Sequence, residues 1–301
     1  MAKRKKGRRT SGASPHPQPL QLPRSRRYPN WLRLITATLF LAVSLFFAWP
    51  MVYFLLAGVV FLLPLERLFK RHDQPILRPE LGADFMHVFG TVALAALPTA
   101  GVAWIIQPLE VKTLAALVTS QPIWVQGVEA FFLRELIIYW AHRVSHQVPF
   151  LWRFHAIHHS SHLLDWIAAQ RRHPADAFYI AACTAIPMTL IGFNPTQSTA
   201  LAAISGLWDL TIHANINWRL KWLDGIWVTQ EFHHWHHVKD RATHDNNYAG
   251  AFALYDVLFR SYHMPKDQRP HDYGIAGPMP QNYLGQLTQP FLRRPDQRSA
   301  D

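Results

Sequence analysis

Apolar residues in this chain come in long unbroken runs rather than in the short periodic patterns of surface elements. Residues 31–49 form the first run, with Arg33 its only charge, and residues 51–65 form the second, after Pro50. A bilayer core of about 30 Å calls for roughly 20 helical residues. Each run is therefore about long enough to cross once, and the pair predicts a hairpin turning at Trp49 and Pro50. A third run covers 85–106 and a fourth 123–140; a last pair, 177–193 and 198–212, is broken at Asn194 and Pro195. The fourth run carries Glu129, Arg134 and Glu135, ionisable groups that must face a protein interior or a polar cavity if the segment lies in lipid. The last pair either crosses or re-enters, and every even count of crossings puts the later polar segments on the side of the N-terminus.

The expected fold class is thus all-α, an integral-membrane helical bundle with a cytosolic, histidine-rich helical cap. Residues 1–29 read as a disordered basic tail, 30–275 as the membrane domain with its cap, and 276–301 as a loosely ordered C-terminal tail. The chain has 301 residues, half of them hydrophobic, and charged residues make up only 16%, against roughly 25% in soluble domains. The net charge of +11 is concentrated at the start, and no Asp or Glu precedes Glu66. A basic tail can grip nucleic acid. This one leads directly into an apolar run, so it reads as a cytoplasmic anchor obeying the positive-inside bias, with a membrane and no nucleic acid as partner.

One cysteine, Cys183, excludes an intramolecular disulfide and leaves too few thiolates for an iron–sulfur cluster. Any metal must be held by nitrogen or oxygen, and the 18 histidines supply nitrogen. Three clusters stand out: His142 and His146; His155, His158 and His159; His233, His236 and His237, with His234 between. Residues three or four apart share a helix face, so each cluster is expected to aim its rings at one place. Eight imidazoles exceed what one ion needs, and two metals bound between helices are the economical explanation. Rings without a metal would leave many buried nitrogens unsatisfied.

The stretch from Tyr139 to Arg143 and on through Pro149 to Ser160 resembles the fatty acid hydroxylase/sterol desaturase superfamily, as do Arg172-His173-Pro174, Asp245 to Tyr248, and Asp256 to Phe259. The resemblance covers about 133–262. It implies a membrane histidine-box oxygenase with two Fe ions (Zn possible in the isolated protein), ligated by His142, His146, His155, His158, His159, His233, His236 and His237. His213 is implied as a ninth ligand and His173 as a tenth, although Pro174 and Asp176 suit His173 equally to a supporting role. Asp245 and Asn247 are expected to orient ligand rings by accepting their second N–H. Departures from the family pattern are His234 where Arg is common, Ala249 for Gly and Asp176 for Glu; none removes a ligand.

The implied reaction is O2-dependent hydroxylation or desaturation of a lipid C–H bond. Electrons would come from an external donor, a ferredoxin or a cytochrome b5-like protein, because no haem or flavin motif is found. The histidines and the N-terminus are expected on the cytoplasmic face, of a bacterial inner membrane or of the ER in a eukaryote. A zinc-dependent membrane hydrolase is the first alternative, but such enzymes typically use HExxH, and here Arg143 follows His142 while neither HxxHH cluster contains Glu. A non-catalytic metal-binding membrane protein is the second.

Overall fold

Long apolar runs satisfy their own backbone polar groups as helices, and helices are what form. The computed structural model describes residues 49–292, all within the compact unit Thr38–Asp301. The expectations for residues 1–29 and for most of the run 31–49 lie outside the described residues. Helix α1 (Trp49–Ala57) passes through one π turn (Gly58–Leu62) into α2 (Leu63–Leu68). The turn sits where the chain touches the Trp166 indole, so closely that a Cβ on Gly58 would fall 2.2 Å from a ring atom. There follow α3 (Leu81–Ile106), α4 (Lys112–Thr119), α5 (Ile123–Gln147), α6 (Pro149–His159), α7 (Pro174–Ile191) and α8 (Pro195–His213). Shorter helices complete the described chain: α9 (Gln230–His236), α10 (Arg241–His244), α11 (Leu254–Leu258) and α12 (Tyr283–Thr288). No β-strand is present among the described residues, only isolated bridges.

Helix α3 packs along α7, and α7 along α5. The segments Leu81–Leu109 and Pro174–Ile191 are long and apolar enough to cross a membrane. Protein leaves much of α3 uncovered: Leu97 is 62% and Trp104 76% exposed. Helix α7 ends on Gly192, whose φ of 93° and close seat on Ala115 admit no side chain. Helix α5 does not stop at residue 140 as its apolar run suggests. It continues about two more turns to Gln147, so the apolar segment and the first histidine pair form one rod.

Two buried polar features lock the loops around these helices. Arg78 pairs with Asp165 at 2.7 and 2.8 Å and with Asp84, while Arg171 pairs with Asp84 and Glu80. The Asp256 carboxylate accepts the backbone N–H groups of Tyr248 and Ala249 and the Ser261 hydroxyl. The C-terminal segment departs from the loose tail expected after residue 276. Helix α12 buries Tyr283 and Gln286, and Gln286 Oε1 lies 2.7 Å from His87 Nε2. A buried imidazole needs such a partner, and this segment supplies it.

Candidate metal centre

Four helices deliver the histidines. His142 and His146 close α5, His155, His158 and His159 close α6, and His213 is the last residue of α8. His233 and His236 lie on α9, which Thr229 starts by accepting the Phe232 N–H, and His237 follows at its C-terminal cap. Nine of the ten expected residues converge. His142, His146, His155, His159 and His236 bring one ring nitrogen each within 4.8 Å of one another, and so do His158, His213, His233 and His237. The two groups adjoin, with the His159 ring stacked on His237 at 4.4 Å between centroids.

The grouping differs from the one read along the chain. Each HxxHH trio is divided rather than aimed at one place. His155 and His159 join one group and His158 the other; His233 and His237 join the second and His236 the first. Helix geometry explains it. At about 100° per residue, i and i+4 lie some 40° apart, whereas i+3 falls on the opposite flank of i. Every i, i+4 pair, His142 and His146 included, stays together, and every i+3 residue crosses over.

His173 joins neither group. It is the N-cap of α7: its Nδ1 accepts the Ala175 N–H at 3.0 Å and its Nε2 donates to the Leu287 carbonyl at 3.1 Å. The expected tenth ligand is thus corrected to a helix cap, because both nitrogens are already engaged. His234 has a comparable task. Its Nε2 lies 3.1–3.2 Å from the carbonyls of His213 and Ala214 and its Nδ1 2.8 Å from the Tyr273 hydroxyl, so it steadies the end of α8.

Whether the rings fit a metal can be tested on their hydrogen bonds. The Nδ1 atoms of His142 and His236 each lie 2.7 Å from a backbone carbonyl, of Tyr248 and Asn246, and that of His155 lies 3.1 Å from an Asp176 carboxylate oxygen. Those partners only accept, so each of these Nδ1 atoms carries a proton, and the lone pair of a neutral ring is then on Nε2. Yet His142 Nε2 lies 3.0 Å from both His155 Nε2 and His236 Nε2. In the other group Nδ1 of His158 and His213 face the Arg171 and Asp209 carbonyls, and their Nε2 atoms meet at 3.3 Å. Lone pairs held this close require a cation between them. Two imidazoles on one ion at about 2.1 Å keep their nitrogens roughly 3 Å apart.

Burial, reinforced by the neighbouring rings and for His158 by Arg172, pushes His158, His159, His233, His236 and His237 well below the ordinary value of 6.5. His159 is fully buried with neither ring nitrogen hydrogen-bonded. The donor set of neutral imidazoles therefore fits two adjoining divalent ions.

Supporting partners come from places that spacing does not reveal. Asp245 Oδ1 lies 3.2 Å from His146 Nδ1, and the pair with His244 forms a third, smaller polar group. Asn247 does not touch a ring. Its amide donates to the carbonyls of Phe232 and His263, pinning the loop whose Asn246 and Tyr248 carbonyls do. Asp176 and His244 carried no sequence signal strong enough to rank them beside the boxes.

A cavity of about 160 Å³ borders both groups, touching His142, His155, His158 and His233, with Arg134, Glu135, Arg172 and Asp209 on its wall. A mainly apolar chamber of about 670 Å³ lies between α3, α7 and α8 and shares Arg134, Arg172, Ile180 and Ala202 with it.

Residues 127–261 match the family model "Fatty acid hydroxylase". The chain is 35% identical over 173 residues to an ornithine lipid hydroxylase of Rhizobium tropici, covering 58% of this chain and 52% of that protein. It is 28% identical over 141 residues to the alkylglycerol monooxygenase of Homo sapiens (47% of this chain, 31% of that one). It is 27% identical over 139 residues to a putative Delta(7)-sterol-C5(6)-desaturase of Arabidopsis thaliana (44% and 46%). The chain spans about half the length of the first of these and less of the others. No solved structure matches.

Proposed function

With residues 127–261 forming a fatty acid hydroxylase domain, which places the chain in the fatty acid hydroxylase/sterol desaturase superfamily, we propose that it is a membrane di-iron oxygenase that hydroxylates or desaturates a lipid C–H bond. The observation that carries this reading is the opposition of bare Nε2 atoms in two adjoining groups beside a cavity that shares wall residues with an apolar chamber. His142, His146, His155, His159 and His236 would hold one iron, and His158, His213, His233 and His237 the other. Imidazole alone does not select the metal. Bound iron would supply the activation of O2 that no side chain provides.

The protein's own share is positioning and exclusion. The carbonyls of Tyr248, Asn246, Arg171 and Asp209 and the carboxylates of Asp176 and Asp245 fix each ring's tautomer and aim. The buried rings of the second group keep bulk water from the centre. The chamber between α3, α7 and α8 receives the hydrocarbon part of a lipid entering from the bilayer. In this reading α3 and α7 lie in the membrane with the preceding hairpin, and the histidine face forms the cytoplasmic cap on the side of the basic tail. An external one-electron donor protein, a ferredoxin or a cytochrome b5-like protein, supplies the reducing equivalents.

The decisive experiment combines metal analysis of the purified chain with O2 consumption and mass spectrometry of lipids from cells co-expressing a reductase. Iron at two per chain, with a lipid gaining one oxygen atom or losing two hydrogens, is expected. Zinc without O2 consumption would favour a hydrolase and overturn the proposal.

A further inference from the structure

Buried rings can hold ions only if ions reach them. Eight of the nine converging histidines are 3% exposed or less, and the ninth, His142, faces the inner cavity. An ion arriving there from the apolar chamber would have to pass Arg134 and Arg172, which border both spaces. Shedding its water against apolar walls and two guanidiniums is costly for a dication.

The third polar group offers another approach. His244 closes the one-turn helix α10 and Asp245 is its C-cap, in a segment whose residues 239–242 are exposed. The Asp245 side chain is 37% exposed, that of His244 7%, and that of His146 fully buried, a gradient that runs from water inward. His146 belongs to this group and to the first metal group alike. Asp245 Oδ1 stands 3.2 Å from His146 Nδ1 and 3.9 Å from His244 Nε2. The second spacing is too long for a hydrogen bond. Both suit donors on a common ion, since two ligands at about 2.1 Å from it can lie up to roughly 4 Å apart. The Val238 backbone hydrogen-bonds the His244 ring, and Trp152 stacks on it at 5.3 Å. Arg241 pairs with the other Asp245 oxygen at 3.5 Å, so an incoming ion meets one half-exposed guanidinium instead of two that are mostly covered.

Resting on the metal centre of the oxygenase reading but not on its reaction, we propose that Asp245, His244 and His146 form a metal-entry site. A divalent transition-metal ion is captured from water by Asp245 and His244, waits there partly hydrated, and passes to the first group over His146, the ligand that the two groups share. Asp245 then resumes its bond to the His146 ring. A residue that serves only the passage changes the rates of loading and release by the same factor and leaves the affinity alone.

The test strips the full-length chain of metal by chelation, checks that its helical circular dichroism persists, and mixes it with Co2+, whose visible absorbance reports histidine ligation. Release is followed afterwards with excess chelator. His244→Phe keeps an aromatic ring against Trp152 but has no ligand atom. It is expected to slow both uptake and release by at least about tenfold, the scale on which a lost contact beside a metal acts. The final content should stay at two ions per chain, with an unchanged dissociation constant. His244→Cys, which restores a ligand atom, is expected to recover most of the rate. Uptake by His244→Phe at the wild-type rate would overturn the inference. So would a weakened affinity without slower release, which marks a support of the standing ligands, or a third tightly held ion in the wild type, which marks a resting site. Each of those outcomes leaves the metal centre standing, whereas a wild-type chain that takes up no Co2+ would overturn the centre itself.

Discussion

Two buried polar clusters stand within this fold and they behave in opposite ways. Around Arg78 and Arg171, three acidic side chains, Asp84, Asp165 and Glu80, face two guanidiniums in a mostly self-satisfied network of ion pairs. Although burial pulls Arg171 toward losing its proton, the Asp84 carboxylate outweighs it and holds it more firmly charged than usual. In the histidine centre the balance fails. Lone pairs meet lone pairs at 3.0–3.3 Å, and the Nδ1 atoms of His159, His233 and His237 find no partner. A buried cluster that answers its own charges is structural; one that does not is built around something else.

The sharpest way to break this contrast is to remove one member of each cluster. His159→Ala is expected to lower turnover by at least about a hundredfold, beyond what loss of a mere supporting partner does, and to reduce bound iron, with the helical circular dichroism retained. Asp84→Asn should instead cost about 3–5 kcal/mol of stability by leaving buried guanidiniums uncompensated, read as a lower melting temperature, while the iron per folded chain stays constant. If both variants lost iron equally, the distinction between the clusters would be wrong. Chelation gives a second handle. Stripping the metal should remove about 4 kcal/mol of stability if the loaded protein sits near a thousand times its dissociation constant, and by the same amount in wild type and Asp84→Asn.

How far each cluster can be read from the chain follows from the same chemistry. Imidazoles at i, i+3 and i+4 betray themselves because helix geometry must bring them together, so the boxes and the ring supply were legible. His213, 20 residues from the nearest box, came only through the family resemblance. The division of each trio between two groups was not legible, since spacing fixes relative angles but not which neighbour stands on which flank. Nor were the partners of the rings: the carbonyls of Tyr248, Asn246 and Arg171 belong to loops, and a backbone oxygen has no signature in sequence. Arg78 and Asp165 pair across 87 residues, and nothing local in either segment announces the other. The helices were legible as apolar runs, but their ends were not. Helix α5 carries hydrophobic and histidine segments as one rod, and the C-terminal helix gains its place from contacts that no run announces, Gln286 bonded to His87 and His173 to the Leu287 carbonyl.

A smaller effect sharpens the boundary between ligands and their supports. Asp176 accepts from His155 Nδ1 inside the fold, with a side chain only 2% exposed. Asp176→Ala should weaken metal affinity by about 10–100-fold. Asp176→Asn keeps an acceptor oxygen in place and should retain most of the affinity, a difference measurable by competition with a chelator of known strength. Equal losses in the two variants would mean that charge, and not the aim of the ring, is what Asp176 provides.

The smallest effect falls on the one expected ligand that the fold assigns elsewhere. His173 caps α7 through Nδ1 and ties Leu287 through Nε2, so its loss should resemble the loss of a cap. His173→Ala is expected to cost about 1 kcal/mol of stability. His173→Asn, whose side-chain oxygen can accept the same Ala175 N–H, should recover much of that. Neither change should alter the iron bound per folded chain or the chelator competition that Asp176→Ala shifts. The comparison is strict because His173 lies only three residues from Asp176. A metal deficit in His173→Ala equal to that of His159→Ala would return His173 to the ligand set and show that a ring engaged at both nitrogens here can turn toward the centre.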